Sequence, residues 1–251
     1  MSGLAAVAYY EYRMAVSRWG VWLAFGLASL PVLSDLPRMA GLMAQSPLAE
    51  AGELVLALNC LLPLVAGVVI ADRLPRDRQL RLRELLRSSP LSRPAYVLGK
   101  YTGAVLATLT PVAVILLGSM AYCLACGLSI SLLGAVLAAF LSITVPTYLF
   151  VGAFSLACPA VLPVRGYQVL FVGYWFWANF LTPKVMPTVN GTLLESVGTY
   201  AATAFFHARS SMTREPRTVV EAVLNLAILL TCAALALLAL ERYLAWQERS
   251  A

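Results

Sequence analysis

Sixty-four consecutive residues, Tyr101 to Val164, contain no Asp, Glu, Lys or Arg. A run of that length has no charged face to turn toward water, so the solvent it suits is lipid hydrocarbon. Three shorter uncharged runs repeat the theme: Leu54 to Ala71 and Gly166 to Pro183, each of 18 residues, and Ala222 to Leu240, of 19. A spanning helix needs ~20 mostly apolar residues, because ~30 Å of hydrocarbon is crossed at ~1.5 Å per residue. Each short run is therefore about one span. A further span falls near Trp19 to Leu36, with Pro31 inside it and Asp35 near its end. The composition agrees: the chain is 12% charged, where soluble domains are roughly 25% charged.

The long run decides the topology. Two spans use ~40 residues and leave ~24 for one turn and overhangs, whereas three leave ~4 for two turns. The good internal turn lies around Gly127, Ser129 and Ser131. A second turn near Thr144, Val145 and Pro146 would leave open backbone groups in hydrocarbon, at several kcal/mol each. Two long helices are expected, with Pro111 and Pro146 as kinks inside them. The fold class that follows is all-α: a polytopic membrane protein of about six transmembrane helices, forming a single membrane domain over residues 1–251.

Orientation follows from the basic residues. Asp72 to Lys100 holds eight of them (Arg73, Arg76, Arg78, Arg81, Arg83, Arg87, Arg93 and Lys100) and three acids (Asp72, Asp77 and Glu84). This loop, 72–100, is expected to be cytoplasmic, with both termini on the same side. The loop 182–219 is then extracytoplasmic, although it carries Lys184, Arg209, Arg214 and Arg217. A seven-span arrangement would place those four inside, but only by building the second turn in the long run. Gly191 to Phe206 is too short to cross the membrane. It either dips in and returns, packed on other spans, or lies flat at the interface with Phe205 and Phe206 inserted. The N-terminal segment mixes Tyr9, Tyr10 and Tyr12 with Glu11, Arg13 and Arg18. That mixture is not a signal peptide; it reads as an interfacial helix, weakly amphipathic because Arg13 lies opposite Glu11 and Arg18, or else as a frayed cytoplasmic end. Arg outnumbers Lys 16 to 2, which points to a GC-rich bacterial source and hence the plasma membrane.

The expected span interiors hold essentially no ionisable residues, so no carboxylate relay or histidine cluster for intramembrane chemistry is legible. No Gly-rich Lys-Ser/Thr loop for nucleotide phosphates occurs. Cys123 and Cys126 form a C-x-x-C at a span end without further ligands, and read as packing residues. The lone histidine, His207, reads as a loop residue. No cofactor, metal or nucleic acid is expected. Tyr174 to Trp177 form an aromatic cluster that would line a path or form an interfacial belt.

Within the basic loop, Leu74, Leu82, Leu85 and Leu86 fall in one arc of a helical wheel, with Arg81, Arg83, Glu84 and Arg87 outside it, although Leu80 falls outside it too. Ser88-Ser89-Pro90 would stop that helix. Ser92 would cap the next, with Pro94 in its first turn. The residues alone leave three readings open: a solvated loop, a lipid-surface helix, or a docking stripe for a cytoplasmic partner.

Arg83-Glu84-Leu85-Leu86, then Ser88-Ser89-Pro90-Leu91-Ser92-Arg93, Tyr96 and Leu98-Gly99-Lys100 resemble the loop after the second span of type-2 ABC transporter permeases. This chain departs from that pattern in being Arg-rich before Glu84. The resemblance implies an N-terminal amphipathic helix, six spans, a coupling helix and re-entrant helices before the last span. It also implies that a separate cytoplasmic ABC ATPase subunit binds the ATP. A second permease subunit would complete the path, in a homo- or heterodimer embedded in membrane lipid. The residues it marks for ATPase coupling are Arg78, Leu82, Arg83, Glu84, Leu85, Leu86 and Arg87. On this reading the chain is not itself an enzyme but the path-forming subunit of an exporter. Readings from other classes are a non-transporting assembly or regulatory subunit and a passive channel.

Overall fold

The computed structural model describes residues 3–43, 46–79, 92–181, 184–209 and 216–249, with only the backbone of Arg78, Gln79 and Glu248. The described residues form helices and turns, without strands. In chain order the helices are α1 (Gly3–Val16), α2 (Trp19–Met43), α3 (Pro47–Ala71), α4 (Arg73–Gln79), α5 (Arg93–Ala125), α6 (Ser131–Ala139), α7 (Val145–Ala157), α8 (Val164–Asn179), α9 (Thr199–Phe206) and α10 (Val219–Arg249). A π-helical turn, Phe140–Thr144, joins α6 to α7 without a break. Five helical stretches are long and apolar enough to cross a membrane: Trp19–Met43, Pro47–Asp77, Arg93–Ala125, Ser131–Ala160 and Val219–Gln247. α8, of 16 residues, is shorter.

α3 is the central pillar, with α2, α6, α7, α8 and α9 packed around it. It is apolar nearly all round, as a helix enclosed on every side must be. Leu54, Val55, Leu56, Leu58, Leu62, Ala66 and Ile70 are all buried. α2 and α10 are peripheral and expose leucines and valines such as Leu23, Leu27, Leu30, Val223, Leu235 and Leu238. In lipid such a surface carries no hydrophobic penalty.

The 64-residue uncharged run divides as expected into two long helical stretches. α5 ends in a Schellman motif: Gly127 takes φ +87°, its N–H bonds Leu124 O, and the Leu128 N–H bonds Cys123 O. Glycine meets that left-handed angle at no Cβ cost. No turn forms at Thr144 to Pro146. The helix passes through that point as the π-turn, with the Val145 N–H on Phe140 O. Pro146, which has no N–H to give, follows directly at the start of α7, the kind of site where an i→i+5 turn accommodates a break in the i→i+4 ladder. The seventh span has no turn to stand on.

α8 runs antiparallel to α3. Gln168 Nε2 donates to Val68 O (3.1 Å) and Trp175 Nε1 to Cys60 O (2.7 Å). The segment after α8 then returns along α3. Val197 O accepts from Asn59 Nδ2 (2.6 Å), whereas Phe206 lies against Gly52. Asn59 and Gly52 are seven positions apart, or ~10 Å along the helix. The chain therefore dips beside α3 and climbs back through α9, whose Tyr200, Ala201, Ala202, Thr203 and Phe206 are buried. The alternative, with Phe205 and Phe206 laid flat at an interface, does not describe a segment whose Phe206 is packed inside.

Candidate coupling site

The base of the basic loop is an ion cluster drawn from three helices. Glu11 of α1 reaches Lys100 Nζ of α5 with Oε2 (2.8 Å) and Arg73 Nη1 of α4 with Oε1 (3.4 Å). Lys100 Nζ is also 2.8 Å from Asp77 Oδ2 of α4. Tyr96 donates its hydroxyl to that same carboxylate oxygen. Relative exposures are 5% for Glu11, 2% for Arg73, 3% for Lys100 and 8% for Asp77. Two cations and two carboxylates leave the cluster neutral, the arrangement that makes buried charge tolerable. One donor, Arg73 Nη2, has no hydrogen-bond partner. Removing an anion here would strand a guanidinium already short of acceptors.

Packing brings these groups together. Gly99 and Gly103 of α5 form a small-xxx-small face that lets α1 approach backbone to backbone. A Cβ at Gly103 would stand 2.5 Å from Ala8 O and 2.8 Å from the Glu11 Cβ, and one at Gly99 2.8 Å from Leu4 O. The opposite face of α1 exposes Tyr9, Tyr10, Arg13 and Met14. The helix is thus two-sided, with Glu11 in and Arg13 out. Glu11 is not the surface charge that an interfacial helix implies, nor are Arg73 and Lys100 solvated loop charges.

The expected loop 72–100 is helical at both described ends. Arg73 to Gln79 are α4, and Arg93 to Lys100 are the first two turns of α5. Pro94 sits in the first turn of α5 as anticipated. Ser92 precedes it as N-cap with extended backbone but makes no side-chain cap bond. Of the seven residues marked for coupling, Arg78 lies on the α4 backbone. Leu82, Arg83, Glu84, Leu85, Leu86 and Arg87 lie outside the described residues. Leu74, which shares their arc in the sequence, is buried.

Other candidate features separate. Trp175 is fully buried as the anchor of α8 on α3, while its neighbour Phe176 is exposed. The aromatic cluster is therefore neither wholly a belt nor wholly a lining. An apolar cleft of about 340 Å³ between α7 and α8 is walled by Phe150, Phe154, Tyr167, Phe171 and Tyr174. Cys123 is buried with Sγ 3.7 Å from Met43 Sδ, whereas Cys126 is exposed. His207 closes α9 in the left-handed region at φ 56°. A second polar knot surrounds Asn59, which donates to Thr147 Oγ1 (2.9 Å) as well as to Val197 O. Thr147 in turn donates to Ser196 O (2.6 Å). Sequence reasoning missed the ion cluster. The available signal was the Gly99-x-x-x-Gly103 spacing beside Lys100, one of only two lysines in the chain.

Residues 53–240 match the family model described as ABC-2 family transporter protein. No curated protein matches the chain closely enough to be counted a relative. The matched segment runs from α3 to α10, taking in the pillar, both ends of the basic loop, the two long helical stretches and the returning segment. With most of its length in that match and its helices arranged for a bilayer, the chain belongs to the ABC-2 transporter family and is a membrane-spanning ABC transporter permease.

Proposed function

We propose that this permease is the path-forming subunit of an exporter, powered by a separate cytoplasmic ATPase that docks on the loop between α4 and α5. The observation that carries the reading is the family match over residues 53–240. Two features support it. The loop holds +5 of the chain's +6 net charge, which orients it to the cytoplasm; with α8, which runs antiparallel along α3, counted as a sixth crossing beside the five long stretches, both termini fall on that same side. Its described ends, α4 and the first turns of α5, are locked together in one buried ion cluster, so a force delivered to either end reaches the bundle. The sequence offers no phosphate-binding loop of its own, and hydrolysis is assigned to the partner. Nucleotide-driven closure of the ATPase would shift the loop and the attached α3 and α5 as rigid bodies. A second permease subunit completes the path in a bacterial plasma membrane.

The test is reconstitution. The purified chain alone is expected to hydrolyse no ATP. The complex with its ATPase is expected to hydrolyse ATP in response to cargo and to contain two permease subunits by mass. ATP hydrolysis by the permease alone, verified free of contaminants, or a working complex with a single permease subunit would contradict the proposal.

A further inference from the structure

The N-terminal helix α1 precedes the region matched to the family, yet it is tied to both ends of the basic loop. One carboxylate makes both ties. Oε1 of Glu11 holds Arg73 at the start of α4, and Oε2 holds Lys100 in α5. Asp77 closes the ring by joining Lys100 back to α4. The glycine face of α5 explains why α1 lies on α5, but close packing of this kind has no reach to α4. The bridge to α4 is the charge pair with Arg73.

We infer that Glu11 is a positioning residue for coupling, its two carboxylate oxygens making α1, α4 and the base of α5 move as one body. This inference rests on the transporter reading for its consequence. Apolar side chains of similar volume often stabilise as well as a buried ion cluster does. What the cluster adds is geometry: two fixed oxygen positions that set the register of α1 against two helices at once. The exposed outer face of α1, with Tyr10 at 68% and Tyr9 at 51%, suits the lipid–water boundary. A loop displaced by the ATPase would therefore swing α1 through that boundary together with α5. With α1 released, α4 would keep its contacts to α5 through Asp77 with Lys100 and Tyr96 but lose its tie to α1.

The experiment uses the full chain in nanodiscs, in a complex in which both permease copies have their five cysteines replaced and one copy alone carries nitroxides, at Tyr10→Cys on α1 and Arg76→Cys on α4. In the otherwise unaltered permease, the distance between the labels is expected to be single and to stay the same when the ATPase complex binds nucleotide. Glu11→Gln removes the charge that Arg73 and Lys100 share. It is expected to lower the ratio of α1 docked on α4 to α1 undocked from it by ~100-fold, broadening the distance distribution. In the same complex, permease-stimulated ATP hydrolysis should fall while the ATPase still co-purifies. Glu11→Asp, which keeps the charge, should recover part of both readouts. An unchanged distance distribution in Glu11→Gln overturns the inference, as does full coupling once α1 is released. A permease without the substitution that stimulates no ATPase overturns the transporter reading itself, and that failure is told apart because it shows in the unsubstituted arm.

Discussion

One added methyl group separates the glycines that carry packing from those that face open space. At Gly103 a Cβ would meet the backbone oxygen of Ala8 at 2.5 Å, and backbone cannot yield as a side-chain tip can. Gly103→Ala should push α1 from α5 and destabilise the protein by ~1–3 kcal/mol. At Gly118, on the same helix, a Cβ meets nothing within 4 Å. Gly118→Ala should be neutral or stabilise by up to ~1 kcal/mol. Thermal unfolding of the two variants in detergent checks the contrast, and a Gly103→Ala midpoint equal to that of Gly118→Ala would show that α1 is not clamped. At this scale the sequence is least legible. Glu11, Arg73 and Lys100 are separated by 62 and 27 positions, and only the fold turns three apparent surface charges into a buried triangle. Single-chain patterning reports which face a residue occupies, not what meets that face.

Among the elements, the apolar periodicity was easiest to read where length alone decides. The single turn at Gly127 followed from counting residues against bilayer thickness. The π-turn at Phe140–Thr144 was not legible, because Pro146 signals a kink without specifying how the carbonyls before it are satisfied. The returning segment before α10 was legible as too short to cross. Its anchor was not, since Asn59 sits in an otherwise apolar run 138 positions from Val197. That anchor makes a prediction. Asn59→Leu removes two buried hydrogen bonds and leaves Val197 O without its amide donor, at ~1–3 kcal/mol. The segment over 184–198 should loosen, and limited proteolysis there should accelerate in Asn59→Leu while cleavage elsewhere is unchanged. Equal protection in both proteins would show that α9 is held by its apolar packing alone.

For the molecule as a whole, α3 is the axis on which the other elements are hung, and the loop that follows it carries most of the net charge. Orientation in the membrane can be read by labelling single cysteines at Ser46, Ser89, Thr192 and Ser250 with an impermeant reagent on intact cells. The Ser46 and Thr192 positions should react and the other two should not. Labelling at Ser250 with silence at Thr192 would reverse the account of the C-terminal half. The fold class was legible because bilayer thickness and charge asymmetry act on whole segments, and the family through the resemblance carried by the motif from Arg83 to Lys100. The stripe Leu82, Leu85 and Leu86, proposed to dock the ATPase and lying outside the described residues, is legible as a pattern in the sequence alone. The most direct measurement is therefore pull-down of the ATPase and permease-stimulated hydrolysis for Leu85→Glu, beside the double variant Arg81→Gln/Arg83→Gln, at low and high salt. Burial of a leucine contributes ~1.5–3 kcal/mol, and an unpaired carboxylate in its place costs more. Leu85→Glu should thus weaken association by ~100-fold or more at either salt concentration, with membrane insertion intact. Full binding and coupling by Leu85→Glu, with strong salt-sensitive loss in the arginine variant instead, would contradict the account and make the loop a lipid-surface element.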